Sequence, residues 1–172
     1  MNTASCLFVD VGPTRSAWAH VVALPNGSPK VMGSWFVEHD PLWIQGRLAD
    51  MLAHAPNRAA TWATFAIETI GGEVYVGRSA AQLFATKKVE GRIAAVAESS
   101  GITPLEVPAM KWRKTLIGNS HASNAQIAAA VRGVLGKELP RMTSRDEEHV
   151  MDAIGGALVV LAEMLTRDGS PL

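Results

Sequence analysis

The sequence predicts an α/β fold: a mixed five-stranded sheet flanked by helices. Two observations carry it. Three short apolar runs separated by tight turns lie between Cys6 and Val37, the pattern of an antiparallel three-strand meander. Beyond them strand-like and helix-like segments alternate, which adds parallel strands through crossover helices.

Residues 6–11 (CLFVDV) form an apolar run that ends near an acid and read as a buried strand. Gly12-Pro13-Thr14 turns the chain into residues 17–24 (AWAHVVAL), and Pro25-Asn26-Gly27 turns it again into residues 31–37. From Pro41 to Ala55, Leu42, Ile44, Leu48, Met51 and Leu52 recur at helical spacing. Residues 62–67 (WATFAI) make a fourth strand that runs into Glu68, with Gly71-Gly72 breaking the chain after it. A long helix follows over residues 79–100, closed by Gly101, and then a strand over 102–107 flanked by Pro104 and Pro108. Residues 122–135 read as a helix with Ser123 or Asn124 as cap. The last helix spans 144–166, with Ser144 as N-cap and Glu147 completing a capping box.

A chain of 172 residues with 48% hydrophobic and 19% charged residues supplies one core, so a single domain is expected, from about residue 6 to 166. That composition excludes disordered, collagenous and mucin-like classes. The one cysteine, Cys6, cannot form an internal disulfide, and no Cys/His array has zinc-finger spacing. The start has no basic, long-apolar leader, and the most apolar stretch, residues 153–161, is too short to cross a bilayer. A soluble, cytoplasmic protein without a membrane partner is the expectation.

Net charge is zero, yet residues 78–145 hold 11 Lys/Arg against 4 Asp/Glu, and the remainder 5 against 12. A basic surface beside an acidic site would give that asymmetry, as would scatter along the chain. Asp10 and Glu68 each stand at the end of an apolar strand, and ends of neighbouring strands lie about 5 Å apart. A turn cap, an ion pair or a metal site would each satisfy such an acid. In the last helix His149 and Asp152 share a face one turn apart, and Asp152 borders the apolar stripe of Val150, Ile154, Leu158, Leu161 and Leu165. Gly155-Gly156, costly in a helix, suggest that it approaches the sheet closely. Asp10, Glu68 and Asp152 with His149 would make a hard-cation site of oxygens plus one imidazole; His149 alone would as readily be a surface histidine.

Five segments in order resemble the RuvC-type Holliday-junction resolvases of the RNase H-like superfamily. FVDVGPTRSAWAHV (8–21) is similar to the family's acid-x-Gly opening, and FAIET (65–69) to its second catalytic strand. VEGRIAAVAESSGITPLEVPAMKWRK (89–114) resembles its helix, strand and basic segment. LIGNSHASNAQIAAAV (116–131) resembles its Gly-x-Gly-x-x-x-Lys-x-Gln piece, and HVMDAIGGALVV (149–160) its closing acid-bearing helix. Ser120 stands where a second Gly is usual and Asn124 where Lys is common; His149 replaces the Asp of many members. These departures suggest a divergent branch, phage-borne as one option, which would act on the bacterial nucleoid or in the host cytoplasm.

The resemblance implies an RNase H-like nuclease domain over residues 1–172. It implies a homodimeric, Mg²⁺-dependent endonuclease that nicks two strands of a four-way DNA junction symmetrically. Catalytic and metal-binding roles would fall to Asp10, Glu68, His149 and Asp152, with two ions per site and Mn²⁺ able to substitute. Lys111, Arg113, Lys114, Lys87, Lys88, Arg92 and Asn124 would contact DNA, and Tyr75, or alternatively Phe84, would wedge into the junction. The apolar residues of the 79–100 helix would supply part of the dimer interface. Rival readings are another nuclease of the fold acting on flaps, forks or hybrids, and a junction-binding protein with a decayed site. A nucleotide-binding relative would need a phosphate-cradling glycine motif, which the sequence lacks.

Overall fold

A computed structural model of the chain describes residues 4–53, 62–69, 79–136, 139 and 146–167. Strands β1 (Ala4–Asp10), β2 (Arg15–Ala23) and β3 (Pro29–Glu38) form the antiparallel meander. Helix α1 (Pro41–Ala53), β4 (Trp62–Thr69), α2 (Ala80–Ser99), β5 (Leu105–Pro108), α3 (Ala109–Ile117), α4 (Asn124–Leu135) and α5 (Glu147–Arg167) follow. β4 pairs parallel with β1, and β5 parallel with β4, so the sheet order is β3-β2-β1-β4-β5. The expected mixed five-stranded sheet is the one observed.

Alternation along the strands sorts the core into two layers. On β1, Cys6 and Phe8 join the layer under α3, α4 and α5, whereas Leu7 and Val9 join the layer under α1 and α2. β2 offers only Ala17, Ala19, Val21 and Ala23 to the α5 side. Those small side chains let α5 lie close, and residues 150–161 of the helix are all buried. A Cβ on Gly156 would overlap the Phe8 ring, and one on Gly155 would stand 3.1 Å from Trp112 and Leu116 of α3. The glycine pair thus serves the close approach expected of it, to α3 as well as to the sheet. With 21 residues, α5 is longer than the apolar run alone indicated, enough by length and composition to cross a bilayer. Its burial under the sheet is that of a core helix.

Several boundaries differ from expectation. β5 starts after Pro104, which has no N–H to give a ladder. Residues 109–117 are a helix, where the sequence reading saw only a basic segment. Pro108 opens it, nine residues of mostly good helix formers continue it, and Gly118 (φ 81°) closes it by donating to the Lys114 carbonyl. Ser123 is the N-cap of α4, in a capping box with Gln126, and Ser79 plays the same part for α2 with Gln82. Gly71-Gly72, the end of the first predicted helix and the Ser144 cap lie outside the described residues.

Candidate active site

The β1–β4 ladder brings the two strand-end acids together. Val9 is paired with Ile67, so the next step of the register sets Asp10 beside Glu68. Both are in phase with the residues facing α5, namely Phe8 on β1 and Ala66 on β4. The Asp10 and Glu68 carboxyls are close enough to shift each other's titration. The turn after Asp10 needs Gly12, where a Cβ would overlap the Arg15 carbonyl.

α5 crosses above them and adds His149 and Asp152. His149 Nδ1 lies 3.4 Å from Asp10 Oδ2, and its ring stacks on Phe36 of β3, with centroids 5.1 Å apart and planes at 8°. From α3, Arg113 Nη2 donates to Asp152 Oδ2 at 2.8 Å, and Trp112 Nε1 donates to Glu68 Oε1 at 3.3 Å. The four predicted catalytic residues line one cleft of about 660 Å³, together with Arg113, Asn124, Arg15, Phe36, Gln82 and Thr86.

The carboxyls titrate as a crowded group. Burial drives Glu68 well above the usual carboxylate range, and the charge of Asp10 pushes it further, against the pull of Arg113. Asp10 feels the same burial, but hydrogen bonds from Glu68 and His149 and the charges of His149 and Arg113 outweigh it and hold Asp10 low. The two neighbouring carboxyls are thus pushed apart, Glu68 upward and Asp10 downward. Burial raises Asp152 to about 6 despite Arg113. The hydrogen bond to Asp10 raises His149 above the ordinary histidine value, opposed by partial burial.

This donor set suits a hard divalent cation. Asp152 Oδ1 is buried without a hydrogen-bond partner, a costly state that a cation would relieve. Three carboxylates and an imidazole are also the ligands such an ion takes. As they stand, no three His, Cys, Asp or Glu side chains among the described residues are arranged to hold a metal ion. Arg113, paired with Asp152, supplies the positive charge.

The other predicted contacts are distributed more widely. Asn124 lines the cleft and donates to Glu148 Oε2 at 3.1 Å. Lys111 and Lys114 are exposed on α3, with Lys111 3.9 Å from Glu163. Lys87, Lys88 and Arg92 are exposed on α2, across the sheet from α3, and Lys87 pairs with Glu90 at 2.9 Å. Phe84 is 77% exposed on α2. The rest of the α2 apolar surface is smaller than expected, because Val89, Ile93 and Ala97 are buried and Ala94 and Val96 pack against the core. Tyr75 lies outside the described residues. Sequence reasoning passed over Phe36, Arg15 and Trp112, and took Arg113 for a surface cation. The helical run closed by Gly118 was the available signal for the inward pair Trp112 and Arg113.

A meander extended by two parallel strands, with the C-terminal helix laid over its centre, is the RNase H-like fold of the RuvC-type resolvases. Two structures of Thermus thermophilus RuvC match this chain over nearly its whole length. One has a TM-score of 0.63 at 21% identity, covering 98% of this chain and 97% of that one. The other, solved in complex with Holliday junction substrate, has a TM-score of 0.65 at 19% identity, covering 99% of each. The yeast mitochondrial Holliday junction resolvase Ydc2 matches at a TM-score of 0.51 and 8% identity, covering 95% of this chain and 83% of its own. No protein-family model matches the sequence, and no curated protein matches it significantly. The likeness is one of fold.

Proposed function

We propose that the chain is a metal-dependent endonuclease that resolves four-way DNA junctions by hydrolysing phosphodiesters at symmetric positions. The observation that carries the reading is the convergence of Asp10, Glu68, His149 and Asp152 from β1, β4 and α5 in one cleft. The fold shared with a RuvC solved on Holliday junction substrate supports it.

Asp10, Glu68 and Asp152 would hold the cation, with His149 binding it or orienting the attacking water. Mg²⁺ bound there, as two ions with Mn²⁺ able to substitute, supplies an activated water and stabilises the departing oxygen. Asp10, held low, is charged and ready as a ligand. Glu68, raised above the usual carboxylate range, binds a cation only when deprotonated, so metal affinity falls as pH falls. Arg113 keeps Asp152 neutralised until a cation binds and is placed to turn to a phosphate when released. Lys111 and Lys114 on α3, and Lys87, Lys88 and Arg92 on α2, stand on the two helices that border the cleft and would hold the DNA backbone. Two coordinated nicks on a twofold junction call for two copies related by a twofold axis, so the acting species is a homodimer.

The test is cleavage of a synthetic four-way junction beside duplex, flap and fork controls, in Mg²⁺ and in Mn²⁺. Paired symmetric nicks in the junction alone are expected. Asp10→Asn should abolish cutting and leave junction binding intact or tighter, because it removes negative charge facing the phosphate. Cutting at the parental rate by that variant would displace the site, and preference for a flap or fork would replace the substrate.

A further inference from the structure

We infer that Phe36, braced by Arg15, is a positioning residue for His149; the inference rests on the nuclease reading for its activity measurements alone. His149 projects from the first turn of α5 with 55% of its side chain exposed. An imidazole so placed has several open rotamers. Its bond to Asp10, at 3.4 Å, is beyond the usual N–H···O range, and one such bond leaves the ring free to turn about it. The Phe36 ring supplies the missing restraint. It lies nearly parallel to the imidazole and closes off one of its faces.

Phe36 is itself held. It stands on the edge strand opposite Ala17, whose methyl leaves room on the α5 side. The Arg15 guanidinium lies 4.2 Å from the centre of the Phe36 ring, and Arg15 Nη2 donates to the Phe36 carbonyl. The same arginine reaches Asp146, just before α5, at 3.9 Å. One side chain therefore ties the edge of the sheet to the start of the helix that carries His149. A phenylalanine that merely filled volume would be replaceable by leucine; one that holds a plane is replaceable only by another ring.

The experiment compares Phe36→Leu with Phe36→Tyr. The His149 ring protons, identified by their loss in His149→Gln, should resonate upfield in the parent protein because the stacked ring shields them. Phe36→Leu should remove that shielding, and Phe36→Tyr should keep it. In single-turnover junction cleavage the Leu variant should lose about tenfold or more while junction affinity stays within about twofold, and Tyr should restore the rate. Unshifted His149 signals, or a parental rate in the Leu variant, would overturn the inference. Should Phe36→Leu not fold, Arg15→Met loosens the same clamp from the surface, and the same downfield shift is expected. If the parent cuts no branched DNA, the nuclease reading falls while the resonances still decide whether Phe36 places His149.

Discussion

Asp152 is a carboxylate that burial keeps near half-protonated in mild acid, with a pKa of about 6 against an ordinary 3.8. Glu68 and His149 are shifted upward as well. Each of the three binds more protons folded than unfolded somewhere above about pH 4, so stability is lost as pH rises through that window. Asp10, held low, acts in the opposite sense only at lower pH. Metal-free protein should therefore melt higher at about pH 5 than at about pH 8, with Asp152 alone worth on the order of 1 kcal/mol across that window. Mg²⁺ should restore the loss at the higher pH and do little at the lower. A melting temperature that ignores both pH and Mg²⁺ would argue against a crowded acid cluster. Asp10 and Glu68 were legible in the sequence because each is an acid at the end of an apolar strand, and ends of neighbouring strands lie close together. Phe36 was not, since a phenylalanine in a strand is by default core, and only the register with α5 sets it against His149.

At the scale of the element, α5 supplies two of the four candidate site residues, His149 and Asp152. A methyl has no room at Gly156, so Gly156→Ala, which drives a Cβ into the Phe8 ring, should destabilise by about 1–3 kcal/mol. Gly133 in α4 is exposed, with open space round its Cβ position, so Gly133→Ala should instead stabilise by up to about 1 kcal/mol. Denaturant unfolding of both variants checks the contrast, and equal effects would mean that α5 tolerates a wider spacing than its packing indicates. The close approach of α5 could be read from its glycines, because their cost in a helix demands a reason. α3 was missed because its lysines and arginine read as a loop of charge. Only the finished helix separates exposed Lys111 and Lys114 from inward-facing Trp112 and Arg113.

For the molecule as a whole, the mixed five-stranded sheet with helices on its faces follows from the alternating patterns of the chain. The assembly does not. The proposed dimer has one large apolar side chain to offer on α2, Phe84, since most of that helix's apolar surface is spent on its own core. Sedimentation should give a dimer, and Phe84→Glu should shift it towards monomer; a parent that stays monomeric with and without junction DNA would remove the dimer. The parallel order of the sheet bears also on synthesis. β1 finds β2 as soon as the hairpin is made, but its other neighbour, β4, arrives some fifty residues later. His149 and Asp152 belong to α5, which follows all five strands and the other four helices among the described residues. A nascent chain therefore carries two of the four candidate site residues long before the others, and the cleft is complete only once α5 is laid over the sheet.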